Sequence, residues 1–168
     1  MSTAAQQGPH VGTPRLRAET SDDLPFLRLL YATTRAEELD QTGWDEPSRE
    51  AFLAMQFSAQ RQHYTTHYPD AAFDIIELDG QAVGRLYVRR NVDIVLMDIA
   101  LLPPFRDRGV GTRLMESLFE DSERSSRAIS LHVETNNRRG YEWYRRLGFA
   151  DVERGPMHIA MRREAGSK

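Results

Sequence analysis

The segment Arg106-Asp107-Arg108-Gly109-Val110-Gly111-Thr112 joins a strand-like apolar run to a helix-like amphipathic one, and its residue types suit the binding of a phosphate group. Two glycines one residue apart let the backbone turn tightly and approach a ligand with no Cβ in the way. The amide N–H groups that open the following helix have no intrahelical partner and can point at phosphate oxygens. The dinucleotide fingerprint needs a third glycine, and the Walker A loop needs a Gly-Lys-Ser/Thr ending, so neither reading applies. Taken alone, the segment is equally a glycine turn between two solvated arginines.

Other residues with chemical potential are scattered. Asp98 lies inside the apolar run 93–102. Facing a cleft, its carboxylate can relay a proton through water; on the solvated face it does nothing of the kind, and strand alternation alone leaves the face open. His132 and Glu134 lie on the next strand-like run, where His132 reads as a polar residue of the core. His63 and His67, four apart on a helical stretch, lack the third ligand of a zinc site and read as surface residues. No metal site is expected. The chain has no cysteine, which excludes disulfides, thiolate metal sites and an acyl-cysteine intermediate. No serine stands in a nucleophile elbow.

The elements that must position these residues follow from periodicity. Residues 1–14, without periodic apolar positions, read as a flexible lead-in. Residues 15–163 read as a single domain and 164–168 as a tail. Arg15 to Ala18 is a short strand, and Ser21-Asp22-Asp23 offers a cap to a helix carrying Leu24, Leu27, Leu30 and Tyr31. Gly43-Trp44 and Pro47 punctuate the chain before a second helix over 48–68. Trp44, Phe52, Met55 and Phe57 supply core and acceptor-cleft walls, with core the larger share. Strands at 72–78 and 81–89 flank an Asp79-Gly80 turn, and a third runs from 93 to 102. The helix after the glycine loop lays Val110, Leu114 and Leu118 on one stripe. A strand at 128–133, a short helix capped by Asn136 or Asn137 and stopped by Gly148, and strands at 149–153 and 157–161 complete the chain. The order β-α-α-β-β-β-α-β-α-β-β predicts an α/β (α+β) fold, with helices on the faces of a mixed sheet.

Composition limits the function. A net charge of −3 argues against a nucleic-acid binder, and no apolar run is long enough for a membrane span or a signal peptide, so a cytoplasmic protein is expected.

The run Leu96-Met97-Asp98-Ile99-Ala100-Leu101-Leu102-Pro103-Pro104-Phe105-Arg106-Asp107-Arg108-Gly109-Val110-Gly111 resembles the acetyl-CoA signature of the GNAT superfamily of N-acetyltransferases. Asn137, followed by Tyr144-Arg145-Arg146-Leu147-Gly148-Phe149, resembles that superfamily's second block. The resemblance covers residues 15 to about 163. It departs from the usual pattern at Asp107, where a small or basic residue is common, and at Arg138-Arg139-Gly140, where small apolar residues are common.

The resemblance implies a mostly antiparallel sheet of six to seven strands, splayed at its central strands, that takes acetyl-CoA as co-substrate. It implies that Arg106, Asp107, Arg108, Gly109, Val110, Gly111 and Thr112 hold the pyrophosphate. Main-chain groups at Ala100, Leu101 and Leu102 would bond the pantetheine arm, with the Leu101 N–H meeting the oxyanion. Asn137 either touches the pantetheine or caps its helix, or both. Tyr144 stands where the family places a general acid; the plainer reading is a half-buried tyrosine with a bonded hydroxyl. Asp98 is the candidate base; related enzymes sometimes carry a carboxylate on the strand of His132 and Glu134 instead, and an amine that sheds its proton to water needs no dedicated base. The acceptor is a small-molecule or peptide amine, and a homodimer is left open. Between residues 35 and 50, Glu37, Glu38, Asp40, Asp45, Glu46 and Glu50 face only Arg35 and Arg49, a rim that would attract a cationic amine or is simply a solvated helix end. A GNAT-like domain that binds acetyl-CoA without transferring anything is the alternative. A domain that uses the loop for ATP or NAD is a further one.

Overall fold

A computed structural model describes residues 12–168. The expected lead-in falls outside these residues except at 12–14, which carry no helix or strand. β1 (Arg15–Ala18) passes through a single turn at Ser21–Asp23 into α1 (Leu24–Asp40), and α2 (Glu46–His67) follows. Three strands come next, β2 (Ala72–Leu78), β3 (Gln81–Arg90) and β4 (Ile94–Leu101). The chain continues through α3 (Val110–Ser125), β5 (Ile129–Glu134), α4 (Arg138–Arg146), β6 (Ala150–Arg154) and β7 (His158–Arg163). This is the order that periodicity predicts. The second helix starts earlier than expected, because Pro47 sits in its first turn, where a proline costs no hydrogen bond, and the Asp45 carboxylate caps it by accepting from the Ser48 N–H at 2.9 Å.

The strands form one sheet in the order β1-β2-β3-β4-β5-β7-β6. Among the described residues only β4 and β5 run parallel. Each face of the sheet carries its own apolar layer. On one face Leu27, Tyr31, Phe57 and Ile75 pack beneath α1 and α2. On the other, Leu86, Ile94, Leu96, Leu114, Met115, Leu118, Leu131 and Phe149 pack against α3 and α4. α2 contributes little to either layer. Phe57 is its one fully buried residue, whereas Trp44 is 46% and Met55 60% exposed. Phe57 takes the expected place in the core, whereas Trp44 and Met55 do not; with Phe52 they line an open groove.

Two irregularities shape the middle of the sheet. β3 pairs Tyr87 with Asp98 but Val88 with Leu96, so Met97 is an extra, unpaired residue and β4 is bulged there. β4 and β5 pair only from Ile94–Leu96 to Ile129–Leu131, so the two strands separate where the bulge begins. Gly84 permits the close passage of β3 along β4, since a Cβ there would lie 2.2 Å from the Ala100 carbonyl oxygen.

The edge strand is pinned by charge. Arg17 on β1 donates to Asp23 through Nη1 and Nη2 at 2.8 and 2.7 Å, and to Glu77 on β2 through Nε at 2.7 Å. The Arg17 guanidinium, together with the Thr20 N–H, holds the Asp23 carboxyl down to about 2 against its burial. A carboxyl depressed in the folded state stabilises the protein above its unfolded value of 3.8, and that stabilisation is lost as pH falls toward 2. Because Arg17 is itself over a third exposed, the contribution is roughly 1–2 kcal/mol. Asp23→Asn should lose about that much at pH 7, and urea denaturation at a series of pH values should show the difference from wild type closing between about pH 4 and pH 2.

Candidate functional site

The glycine loop is held in a shape that few sequences tolerate. Asp107 and Gly109 both take positive φ, 59° and 80°, and Gly109 caps α3 from the left-handed region. The two glycines do different work. Gly109 supplies the backbone angle in open space, whereas Gly111 makes room, because a Cβ there would come within 3.2 Å of the Trp143 ring on α4. The helix opens with its first amides unpaired by the helix itself, and the earliest intrahelical bond runs from Arg113 N–H to the Gly109 carbonyl at 3.1 Å. These amides point out of the α3 terminus at an exposed loop edge.

The arginines and the aspartate of the loop are placed unequally. Arg106 folds back, its Nε donating to the Leu101 carbonyl at 2.9 Å. Arg108 is exposed. Asp107 is bridged by Arg139 of α4, with Nη2 at 2.6 and 2.5 Å from its two oxygens. The two departures from the family pattern thus compensate each other as a surface ion pair. Asn137 acts as the cap of α4, its Oδ1 accepting from the Gly140 N–H at 2.9 Å.

The gap between β4 and β5 begins beyond Leu96. Leu102 N–H bonds the Val83 carbonyl of β3 at 2.8 Å. By strand alternation Ala100 shares that direction, and the main-chain groups of Ile99 and Leu101 face the gap instead. Of the three positions Ala100, Leu101 and Leu102, only Leu101 turns its backbone toward the opening.

The bulge answers the question that alternation left open for Asp98. Ile94 and Leu96 point into the α3 side of the sheet, so a regular strand would send Asp98 there too. With Met97 inserted, Ile99 and Leu101 pack on that side and Asp98 emerges on the α1/α2 side, opposite Tyr87. There Arg85 Nε donates to Asp98 Oδ2 at 2.5 Å. The Asp98 side chain keeps 27% of its exposure, while that of Arg85 keeps 4%.

Tyr144 approaches from α4, packed edge-on against Phe149 with ring centroids 5.7 Å apart. Burial pushes the pKa of its phenol up, and the Asp98 charge pushes it further, so the hydroxyl stays protonated. Among the described residues that hydroxyl has no hydrogen-bond partner, yet it is not sealed from solvent, because the buried unpartnered side-chain atoms there are Arg85 Nη1 and Arg163 Nη1 alone. The plainer reading, a tyrosine with its hydroxyl already bonded, does not describe this side chain.

Three residues of the site went unread in the sequence. On the α1/α2 side Arg85 bonds Asp98, Gln60 bonds Arg85, and Tyr64 is pushed up to about 12 by burial and by the Asp98 charge. The one legible signal was an arginine in the middle of the apolar run Val83-Gly84-Arg85-Leu86-Tyr87-Val88. His132 departs from its expected place in the core and is exposed, as is Glu134, because Leu131 and Val133 take the buried face of β5. His63 and His67 stack on the surface of α2 at 4.4 Å. Beside the α1–α2 connection, Trp44, Ser48, Ala51, Phe52 and Met55 line an open groove of about 510 Å³.

The described residues form an open, mostly antiparallel α/β sheet that parts at its one parallel pair, followed in the chain by a glycine-capped helix. Comparison with known proteins makes this specific. The model of the acetyltransferase (GNAT) family matches residues 30–149, and the chain belongs to that family. An uncharacterised N-acetyltransferase of Methanocaldococcus jannaschii is 30% identical over 153 residues, covering 85% of this chain and 63% of the relative. A probable N-acetyltransferase of Drosophila melanogaster is 32% identical over 62 residues, 36% of this chain and 34% of its own length. The chain therefore spans under two thirds of the length of these curated relatives. Among solved structures, the PaiA N-acetyltransferase of Thermoplasma acidophilum in complex with coenzyme A shares the fold at TM-score 0.66 and 17% identity, over 90% of this chain and 99% of that one. An acetyltransferase of Thermus thermophilus does so at TM-score 0.68 and 20% identity, over 92% and 99%.

The contrast between the glycines is measurable. Gly109→Ala meets no atom within 4 Å and suffers only its positive φ, so it should cost about 1 kcal/mol in a denaturant melt. Gly111→Ala is at ease in the helix but displaces Trp143, and should shift tryptophan emission where Gly109→Ala does not.

Proposed function

We propose that this chain transfers an acetyl group from acetyl-CoA to a primary amine of a small molecule or peptide, by direct attack in a ternary complex. The observation that carries the reading is the gap between β4 and β5. β4 and β5 stop pairing beyond Leu96, two residues before Asp98 on the same strand, and Tyr144, whose hydroxyl has no partner among the described residues, lies close enough to Asp98 to feel its charge. The residues present fit coenzyme A. The amides of Gly109 to Thr112 would hold the pyrophosphate, and Arg108 adds exposed positive charge beside them. The Leu101 N–H would bond the pantetheine arm or the acyl oxygen, and the free Nδ2 of Asn137 is available to the same arm.

Bound acetyl-CoA supplies an acyl group already activated as a thioester. The chain's own residues then have three tasks. Asp98, one oxygen of which is taken by Arg85, offers the other to the acceptor's ammonium and accepts its proton directly or through a water. The Leu101 N–H, fixed in the gap, stabilises the developing oxyanion. Tyr144 donates its O–H to the departing sulfur, a role that needs the protonated phenol that burial and Asp98 maintain. Absence of cysteine favours direct attack over an acyl-enzyme on a thiol.

The groove beside Trp44 and the charges around it support a cationic acceptor with an apolar portion. Arg35 pairs with Glu38 and Arg49 with Asp40, which leaves Glu37, Glu46 and Glu50 outside these pairs on the rim. Such a rim raises the local concentration of a cationic amine.

The test is thiol release from acetyl-CoA in the presence of spermidine, lysine amide, n-butylamine and a tripeptide with a free amino terminus. Tyr144→Phe should lower kcat roughly ten- to a hundredfold, and Asp98→Asn by about tenfold or more, each with the KM for acetyl-CoA within about twofold of wild type. If no amine accelerates release while coenzyme A still raises the melting temperature, the domain binds its ligand without transfer. Protection by ATP or NAD in place of coenzyme A would overturn the acetyl-CoA reading altogether.

A further inference from the structure

Arg85 is a cation that no acceptor can touch. Its side chain is 4% exposed, its guanidinium lies 4.8 Å over the Tyr87 ring, and its Nη1 is buried without a partner. An arginine enclosed in this way is costly unless its remaining donors are well used. Here two are. Nε holds Asp98 Oδ2 at 2.5 Å, and Nη2 is held by Gln60 Oε1 of α2 at 2.8 Å. Asp98 reaches solvent and Arg85 does not, so whatever Arg85 contributes to an acceptor passes through Asp98.

Gln60 is the less expected member. It is half-buried on a helix whose one fully buried residue is Phe57, and its amide oxygen accepts from Arg85 of the sheet. α2 also carries the wall of the Trp44 groove through Ser48, Ala51, Phe52 and Met55. The hydrogen bond from Arg85 to Gln60 therefore ties the groove-bearing helix to β3, and the bond from Arg85 to Asp98 carries the tie on to β4, the strand that bears the carboxylate.

We propose that Gln60 and Arg85 are positioning residues for the acetyl-transfer reaction. Gln60 sets the plane of the Arg85 guanidinium, and Arg85 in turn holds one oxygen of Asp98 so that the other faces the acceptor amine. A planar, forked donor fixes a carboxylate in orientation as well as in place, which a lysine ammonium does not. α2 thereby does two things for an acceptor. It forms the wall that the body of the molecule lies against, and it steers the group that meets the amine. An acceptor that shifts α2 changes the aim of Asp98 without touching it.

The inference rests on the reading that Asp98 serves the acceptor, and a double-mutant cycle separates the two. With the best amine of the panel and saturating acetyl-CoA, Gln60→Ala should lower kcat about three- to tenfold, leaving the KM for acetyl-CoA unchanged. Gln60→Glu, which keeps an acceptor for Arg85, should stay within about twofold of wild type. In the Asp98→Asn background Gln60→Ala should cost nothing more, since the residue acts through the carboxylate. Arg85→Lys should lose activity as Gln60→Ala does, and its melting temperature reports whether the fold survives. A Gln60→Ala loss of the same size in both backgrounds, or no loss at all, overturns the proposal. An Asp98→Asn variant as active as wild type, with Tyr144→Phe impaired, overturns the Asp98 reading instead. A panel in which no amine is acetylated overturns both.

Discussion

One extra residue in β4 governs the arrangement of the site. A strand has a period of two, so inserting Met97 reverses the facing of every side chain after it. Ile94 and Leu96 are pledged to the layer under α3, and Asp98 would follow them into it were the strand regular. Burying a carboxylate among Leu114, Met115 and Leu131 would be prohibitive without a partner. The bulge delivers it to the opposite face, where Arg85 waits. The same irregularity coincides with the end of pairing to β5, so a single local defect both opens the gap and furnishes one of its edges.

Two helices then divide the labour. α3 is strongly amphipathic, buries Val110, Leu114, Met115, Leu118 and Ser122, and presents its amide terminus as a fixed object. α2 is longer but less deeply buried, meeting the core through Phe57 and Leu53 and the sheet through Tyr64, which packs against Phe73 and Tyr87, and through the Arg85–Gln60 hydrogen bond. The glycine loop thus sits on a helix deeply committed to the core, and the Trp44 groove on one with a smaller share of it. A fold built this way can change the groove by altering a helix face without disturbing the loop.

Much of this was legible in the residues, for identifiable reasons. Every helix and strand was announced by periodicity or punctuation, and Gly109, Gly148 and the Asp79-Gly80 turn adopt positive φ where the sequence called for turns. The loop residues and Tyr144 came from two separated motifs. What stayed hidden depended on pairing between distant segments. No local pattern marks Met97 as unpaired, since a bulge is defined by its partner strand, and without it the face of Asp98 was undecidable. Arg85 was visible as an anomaly in an apolar strand, but its partner Gln60 lies 25 residues away on a helix with no distinctive signature. The misassignment of Trp44 and Met55 to the core has a simpler origin. Hydrophobicity says that a residue can be buried, and it does not say which way the residue will face.

The contact between Gly111 and Trp143 has a practical side. The chain has only two tryptophans, and the fold has put them in different settings. Trp143 rests against the first turn of α3, while Trp44 stands edge-on to Phe52 in the groove near the acidic rim. Replacing either with phenylalanine leaves a single intrinsic fluorophore that reports on one place in the fold. The protein is in that sense already labelled, and a change at the glycine loop or at the groove is open to a stopped-flow instrument without any added dye.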